Sequence, residues 1–174
     1  MNKIKNIFLR YLLILLVALP NLFIFYLIFT PLTIYPLLVL FKLSFAKVLL
    51  SKSSFFILDE FQIDIIKACV AGSAYYLLFI LNVSVPKIKF KKRIKMLLFS
   101  FAFFLILNII RIFALALMFV SGTSSFESLH KIFWYAGATI FVVLIWFVEV
   151  KLFKIKEIPI YSDFRCLIKK GFKR

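Results

Sequence analysis

Histidine, cysteine, glycine and acidic residues are all scarce in this sequence. Its 174 residues include one His, two Cys, four Gly and seven Asp or Glu. A single histidine and one neighbouring cysteine cannot complete a zinc site, so no metal ion and no other cofactor is expected. No glycine-rich phosphate-binding loop is present, and Cys69 and Cys166 alone do not indicate a disulfide framework.

Charged residues make up only 17% of the chain, whereas apolar residues make up 64%. Soluble domains average about 25% charged and about 45–50% apolar residues. These proportions exclude an ordinary soluble domain, and the chain is too short for a second one. We therefore predict an all-α polytopic membrane protein that forms a single domain over residues 1–174.

Basic residues give the chain a net charge of +16, and most of them flank apolar runs. Six lie in segment 86–95 and eight in the tail 151–174. In a soluble protein such a charge would indicate nucleic-acid binding. Beside apolar runs, the positive-inside rule is the better explanation, since it places both basic segments in the cytoplasm. No nucleic-acid partner is expected.

Four apolar runs reach the about 20 residues that a transmembrane helix needs: 8–29, 66–85, 96–120 and 132–150. A fifth run, 32–50, contains Pro36, Lys42 and Lys47, which favour an interfacial or re-entrant helix. This topology places the segment 32–65 on the outer side of the membrane. The alternative is five spans with an external N-terminus.

Residues 61–65 alternate apolar and polar side chains, which is the period of a half-buried strand. Asp59 and Glu60 precede this segment and are suited to a turn back to residues 55–58. We therefore predict a small β-hairpin on the outer side, within residues 54–65. The fold class is then about four transmembrane helices, one interfacial or re-entrant helix and this hairpin.

Ionisable residues within apolar runs are costly in lipid and therefore indicate function. Lys67 and Glu149 lie near predicted helix ends, from which their side chains are expected to reach the interface. Arg111 lies deeper and needs a partner, a water-filled cavity or a bound anion. Asn108 lies on the same helical face. The alternative function for Arg111 is structural, with its guanidinium bonded to backbone carbonyls.

Cys69 is the candidate nucleophile. Buried cysteines usually behave as small apolar residues, but this one falls in the first turn of its predicted helix, where the thiolate is favoured. Ala68, Gly72 and Ser73 give the same helix a face of small residues, against which another helix can pack closely. We therefore consider Gly72 and Ser73 as substrate-binding residues.

His130 begins the last predicted span, after a polar stretch. A lone histidine is more often an interfacial residue than a catalyst. The topology nevertheless places Cys69, Arg111 and His130 on the same outer face, although basic loops alone were used to derive that topology. This agreement favours a catalytic interpretation.

Three motifs carry a family resemblance: Ala-Cys-Val-Ala-Gly-Ser-Ala-Tyr-Tyr at 68–76, Asn-Ile-Ile-Arg-Ile at 108–112, and His130 before a final span. In this order they resemble the exosortase/archaeosortase family of membrane cysteine transpeptidases, and most closely a small archaeal branch. The resemblance covers about residues 50–150. Val70 and Ala71 depart from the Ser or Thr followed by Gly that many relatives have after the cysteine, which leaves the subfamily and the recognised motif open.

The resemblance implies Cys69 as nucleophile, Arg111 as electrostatic partner and His130 as acid and base. Asn108 would orient the substrate or Arg111. It also implies secreted protein substrates with a C-terminal motif, a membrane span and a basic tail. Cleavage on the outer face of the plasma membrane would give a thioester, which passes to a lipid or another acceptor.

Two other functions are consistent with the sequence. An intramembrane protease would use the same residues with water as the acceptor. A small transporter or assembly scaffold would use Arg111 as an anion site and Cys69 only for packing.

Overall fold

The computed structural model describes residues 2–19, 22–86 and 88–155. Cys166 and most of the basic tail therefore lie outside the described residues. The elements in chain order are α1 (Asn2–Ala18), α2 (Phe23–Ser44), β1 (Val48–Ser51), β2 (Ser54–Ile57), β3 (Phe61–Asp64), α3 (Lys67–Val70), α4 (Gly72–Ser84), α5 (Phe90–Val120), α6 (Phe126–Ile132) and α7 (Ala138–Leu152), with a π-helical turn (Phe133–Gly137) between α6 and α7.

The described part of the chain is mainly helical and contains four helical stretches long and apolar enough to cross a membrane. They are Phe23–Ser44, Lys67–Ser84, Phe90–Val120 and Phe126–Leu152. The prediction of a helical fold with about four such stretches is confirmed at this level. Three of the four coincide with predicted runs, whereas the first does not.

The predicted helix over 8–29 is wrong. Helix α1 ends at Ala18 and α2 begins at Phe23, after Leu22 adopts a left-handed conformation with φ 60°. Leu19 precedes a proline in the sequence, and a residue before proline disfavours the α region. The apolar composition of the run gave no sign of this break.

The predicted interfacial or re-entrant helix over 32–50 is also wrong, since α2 continues through Pro31 and Pro36 to Ser44. One face of α2 is buried along its whole length, at intervals of four residues: Phe25, Phe29, Thr33, Leu37 and Phe41. Burial of this continuous face offsets the loss of the backbone donors at the two prolines. Proline therefore does not end a helix that is packed in this way.

Aromatic pairs show that α2 runs parallel to α5. The ring centroids of Phe29 and Phe101 lie 5.5 Å apart, and those of Phe41 and Phe113 lie 5.7 Å apart. Both helices therefore advance toward the same end of the bundle. Helix α5, with 31 residues, is about 46 Å long at 1.5 Å per residue.

The helices α4 and α7 run opposite to α5. The ring of Tyr75, early in α4, packs against Phe104, whereas Arg93, at the start of α5, donates to the carbonyl oxygen of Val85 just beyond the end of α4. Ser100 in α5 contacts Glu149 near the end of α7. The bundle therefore has a basic end, which carries the segment 86–95, and an opposite end.

The three strands form an antiparallel sheet in the order β1-β2-β3. The predicted hairpin is present as β2 and β3, with Ser54 opposite Asp64 and Ile57 opposite Phe61. Strand β1, which overlaps the end of the predicted interfacial segment, adds a third member. The ring of Phe61 packs on Phe119 at the end of α5 (5.7 Å between centroids). We call this end of the bundle the sheet end.

Candidate active site

A cavity of about 490 Å³ opens at the sheet end, between β3, α3, the last turns of α5 and α6. Cys69, Arg111 and His130 all line it. They come from three different helices, α3, α5 and α6. The structure therefore brings the three predicted catalytic residues to one open cavity.

A break in the helix presents Cys69 to this cavity. Cys69 lies in the four-residue helix α3, and Ala71 then adopts a left-handed conformation (φ 57°, ψ 48°) before α4 begins. In an unbroken helix, the N–H of Ser73 would donate to the carbonyl oxygen of Cys69. The break at Ala71 interrupts this pattern, and the Cys69 carbonyl accepts hydrogen bonds from side chains of another helix.

Two side chains of α5 donate to the carbonyl oxygen of Cys69. Asn108 Nδ2 donates to the carbonyl oxygen of Cys69 at 2.9 Å, and Arg111 Nη2 donates to the same oxygen at 3.2 Å. Because Asn108 and Arg111 are three residues apart, they project from the same face of the helix. Asn108 is buried and contacts the backbone of Cys69 by a hydrogen bond, whereas Arg111 also lines the cavity.

One N–H group of Arg111 has no hydrogen-bond partner among the described residues. This group is the buried Nε–H. A guanidinium stays charged in proteins and presents several N–H groups in a fixed plane. The arrangement thus combines the structural function considered for Arg111 with a charged side chain that lines the cavity.

The thiol of Cys69 is half-buried and makes one weak contact. Its Sγ lies 4.0 Å from the carbonyl oxygen of Asp64, at the end of β3. A thiol is a weak hydrogen-bond donor. This contact therefore restrains the sulfur but leaves it available to react. Cys69 is the one free cysteine of the described residues.

His130 lies in α6 and is held by aromatic rings. Its imidazole stacks on Phe126, with centroids 5.4 Å apart and planes 7° apart, and meets the edge of Trp134 at 6.0 Å. In the described part of the chain the structure gives His130 no hydrogen bond to the thiol. Catalytic hydrogen bonds are often long or absent before substrate binds, so the shared cavity is the relevant observation.

The two small residues considered for substrate binding have different surroundings. Ser73 is exposed and lines the cavity. Gly72 is buried, and a Cβ at this position would lie 2.7 Å from the ring of Tyr26 in α2. The close helix packing expected of Gly72 is thus made within the chain, by α2, and not left open to a substrate.

Several cavity residues were missed by the sequence analysis. Asp64 and Gln62 line the cavity from β3, and Gln62 Nε2 donates to Asp64 Oδ1 at 3.1 Å. Hydrogen bonds from Ser54 and Gln62 lower the pKa of the Asp64 carboxyl. The alternation of residues 61–65 predicted the strand, but only the return of the chain through α3 shows that it borders Cys69.

Lys67 also lines the cavity, instead of only reaching a membrane interface as expected. Its Nζ lies 5.6 Å from the centroid of the Tyr26 ring, within the range of a cation–π contact. With Arg111 it gives the cavity two cationic groups, and Asp64 gives it one anionic group. Among the described residues, no group of three His, Cys, Asp or Glu side chains could hold a metal ion.

Glu149 differs from its prediction as well. It does not extend to an interface but is completely buried between α4, α5 and α7. Its Oε2 accepts hydrogen bonds from Asn82 Nδ2 at 3.1 Å and from Ser100 Oγ at 2.8 Å. These partners stabilise a polar group that the apolar bundle would otherwise exclude.

In comparisons with known proteins, no family model matches the chain, and no curated protein and no solved structure is significantly similar to it. The function is therefore argued from the geometry of the cavity.

Proposed function

We propose that this protein is a membrane cysteine transpeptidase or protease of the archaeosortase type. The observation that carries the proposal is the convergence of Cys69, Arg111 and His130 on one cavity. A nucleophile, a cation and an acid–base group are the parts that acyl transfer from an amide requires.

In the first step, His130 takes the proton of the Cys69 thiol, and Sγ attacks the carbonyl carbon of the substrate peptide bond. The carbonyl oxygen becomes an oxyanion. The C–N bond then breaks, His130 returns the proton to the leaving amine, and a thioester remains on Cys69. An acceptor amine or hydroxyl, or water, next attacks the thioester and regenerates the thiol.

Arg111 is suited to stabilise the oxyanion. Its guanidinium stays charged and lines the cavity, so a negative charge that develops there lies close to a cation whose Nη2 is held by the Cys69 carbonyl. A fixed donor in a site of low dielectric stabilises such a charge strongly. The bond to Cys69 holds the guanidinium in place beforehand.

The charge distribution supports a position of the cavity at the outer face of the plasma membrane. The basic end of the bundle would lie in the cytoplasm, and the cavity is at the opposite end. Substrates would be secreted proteins that carry a C-terminal motif, a transmembrane helix and a basic tail. The acceptor would be a membrane lipid or another nucleophile at the cell surface.

A second candidate function is a small transporter or assembly scaffold in which Arg111 binds an anion. The bonds of Asn108 and Arg111 to the Cys69 carbonyl favour it, because they give both residues a structural purpose that needs no chemistry. In that case Cys69→Ser would be nearly silent, whereas Arg111→Ala would abolish function.

The two functions are separated by following a secreted protein of the same cells that ends in an apolar segment and a basic tail, tagged at its C-terminus. Cells carry the wild-type chain, Cys69→Ala or, as a matched control, Cys166→Ala. Loss of the tag with the wild type and the control, but not with Cys69→Ala, is the expected result. Equal processing with Cys69→Ala would overturn the proposal.

A further inference from the structure

Strand β3 is an edge of the sheet, and this edge borders the cavity. β3 pairs only with β2 in the sheet order β1-β2-β3. Residues 62–65 line the cavity beside Cys69. An unpaired strand edge presents backbone donors and acceptors to any extended chain that approaches it.

The register shows which backbone groups are unpaired. The N–H of Ile65 donates to the carbonyl oxygen of Ser53 at 2.9 Å, so Ile65 and, by alternation, Ile63 direct their backbone groups toward β2. Gln62 and Asp64 then direct theirs away from it. Outside the pairing of the strands, the backbone N–H groups of Gln62 and Asp64 donate to no backbone carbonyl of the described residues.

The Cys69 thiol confirms this direction. Asp64 turns its carbonyl oxygen toward Sγ, which lies 4.0 Å away. The outward groups of β3 therefore form a short ladder, two residues per repeat, that ends at the candidate nucleophile. Another polypeptide backbone in an extended conformation matches donors and acceptors at this spacing.

We propose that β3 binds the substrate as an added β-strand, an inference that rests on the proposed function. The N–H and C=O of Gln62 and the N–H of Asp64 pair with the backbone of an extended polypeptide segment. When a substrate N–H reaches the Asp64 carbonyl, it replaces the weak contact with Sγ. Binding thus positions the peptide bond and releases the thiol in the same event.

The rest of the cavity fits an extended segment. Its volume of about 490 Å³ lies within the range of about 300–1,000 Å³ found for ligand sites. One wall of the cavity consists of apolar residues of α5, among them Ile112, Leu115 and Phe119. Alternate side chains of a bound strand would face this wall, and backbone pairing would leave their identity largely free.

The test measures the rate at which Cys69 is alkylated, in the full-length chain with Cys166→Ser. The probes are a mixture of N-acetylated tetrapeptide chloromethyl ketones, in which Sγ displaces chloride, and iodoacetamide as a reagent without a peptide backbone. The ratio of the two rates reports backbone recognition separately from thiol reactivity. Gln62→Pro removes one outward N–H and leaves the bonds to β2 intact, whereas Gln62→Ala keeps that N–H.

We expect Gln62→Pro to lower this ratio about fivefold more than Gln62→Ala does, which is the effect of one hydrogen bond. N-methylation of the peptides at alternate positions should reproduce the loss. Equal ratios in the two variants would overturn the inference and leave the nucleophile intact. A Cys69 unreactive to both reagents would overturn the proposed function as well. Crosslinking between two copies that Gln62→Pro abolishes without peptide would assign the edge to a second copy instead.

Discussion

Arg111 Nη2 donates a hydrogen bond to the carbonyl oxygen of Cys69, 3.2 Å away, across 42 positions of the sequence. The bond ties α5 to the break between α3 and α4. It exists because Ala71 leaves the helical path and frees the Cys69 carbonyl. The placement of the thiol therefore depends on side chains that do not themselves contact it by a hydrogen bond.

The shared carbonyl predicts that Asn108 and Arg111 are energetically coupled. Either donor alone can satisfy the oxygen, so Asn108→Ala and Arg111→Met should each have a small effect on the free energy of unfolding. The double variant leaves a buried acceptor without a partner and should lose about 1–3 kcal/mol more than the sum. Denaturation of the purified protein in detergent measures this coupling.

A matched cycle uses Ser100→Ala with Arg111→Met. Ser100 lies on the same helix but bonds to Glu149, and residues farther apart than about 10 Å are additive within about 0.5 kcal/mol. Additivity in both cycles would show that the two donors do not share their acceptor in solution.

Gly72 predicts a second effect, on the packing of α2 against α4. Since a Cβ would lie 2.7 Å from the Tyr26 ring, Gly72→Ala must displace that ring and should destabilise the protein by about 1–3 kcal/mol. Tyr26→Leu removes the clashing ring atoms, so it should relieve most of the loss when the two are combined. The thermal unfolding midpoint of the single and double variants is the measurement.

Ser73→Ala is the control for this substitution, because Ser73 is adjacent and exposed. Its effect on stability should stay within about 0.5 kcal/mol. If Gly72→Ala is equally mild, or if Tyr26→Leu does not relieve it, the contact between Gly72 and Tyr26 is not the constraint that it is here taken to be.

The third prediction concerns the contribution of Glu149 to the free energy of unfolding. Glu149→Ala removes one acceptor of Asn82 Nδ2, at 3.1 Å, leaves its bonds to the Leu78 carbonyl oxygen and Ser100 Oγ, and opens a void. We expect a loss of about 2–5 kcal/mol, the usual cost of truncating a large buried side chain to alanine. Glu149→Gln keeps a carbonyl oxygen for both donors and should cost about 1 kcal/mol. Unfolding experiments that give equal losses for both substitutions would mean that the charge, and not the hydrogen bonding, is what matters.

Much of the helical fold could be predicted from the sequence, because long apolar runs are a direct requirement of membrane-compatible helices. The boundaries were less accessible. α5 begins at Phe90, within the predicted basic loop, since lysine at an exposed helix end does not oppose helix formation. The prolines of α2 suggested an interruption, but the burial of its continuous face, which decides the outcome, is a tertiary property.

The sequence predicted which side chains form the candidate site. It did not predict the backbone geometry that positions them. Cys69, Arg111 and His130 stood out because ionisable and nucleophilic residues are rare in apolar runs. The left-handed Ala71 could not be anticipated, since alanine rarely adopts this conformation. The position of Asp64 beside the thiol depends on this break and on the β3 edge, neither of which leaves a signal in local sequence.

The last prediction concerns Asp64 and pH. Hydrogen bonds from Ser54 and Gln62 lower the pKa of its carboxyl below the ordinary 3.8. A carboxyl with a lowered pKa in the folded state contributes stability above the unfolded value and loses it as pH falls through the folded value. The wild type should therefore exceed Asp64→Asn in thermal midpoint at neutral pH, and this difference should shrink below pH 3.8.

Ser54→Ala tests the cause of that shift. Ser54 is the cross-strand partner of Asp64 and the larger of its two hydrogen-bonding influences. Its removal should bring the pKa of Asp64 closer to the ordinary value, so that the pH dependence becomes weaker than in the wild type. When Asp64→Asn is already present, adding Ser54→Ala should not change the pH dependence of the thermal midpoint. A pH dependence that survives Ser54→Ala undiminished would assign the shift to Gln62, which holds the same carboxylate from within β3.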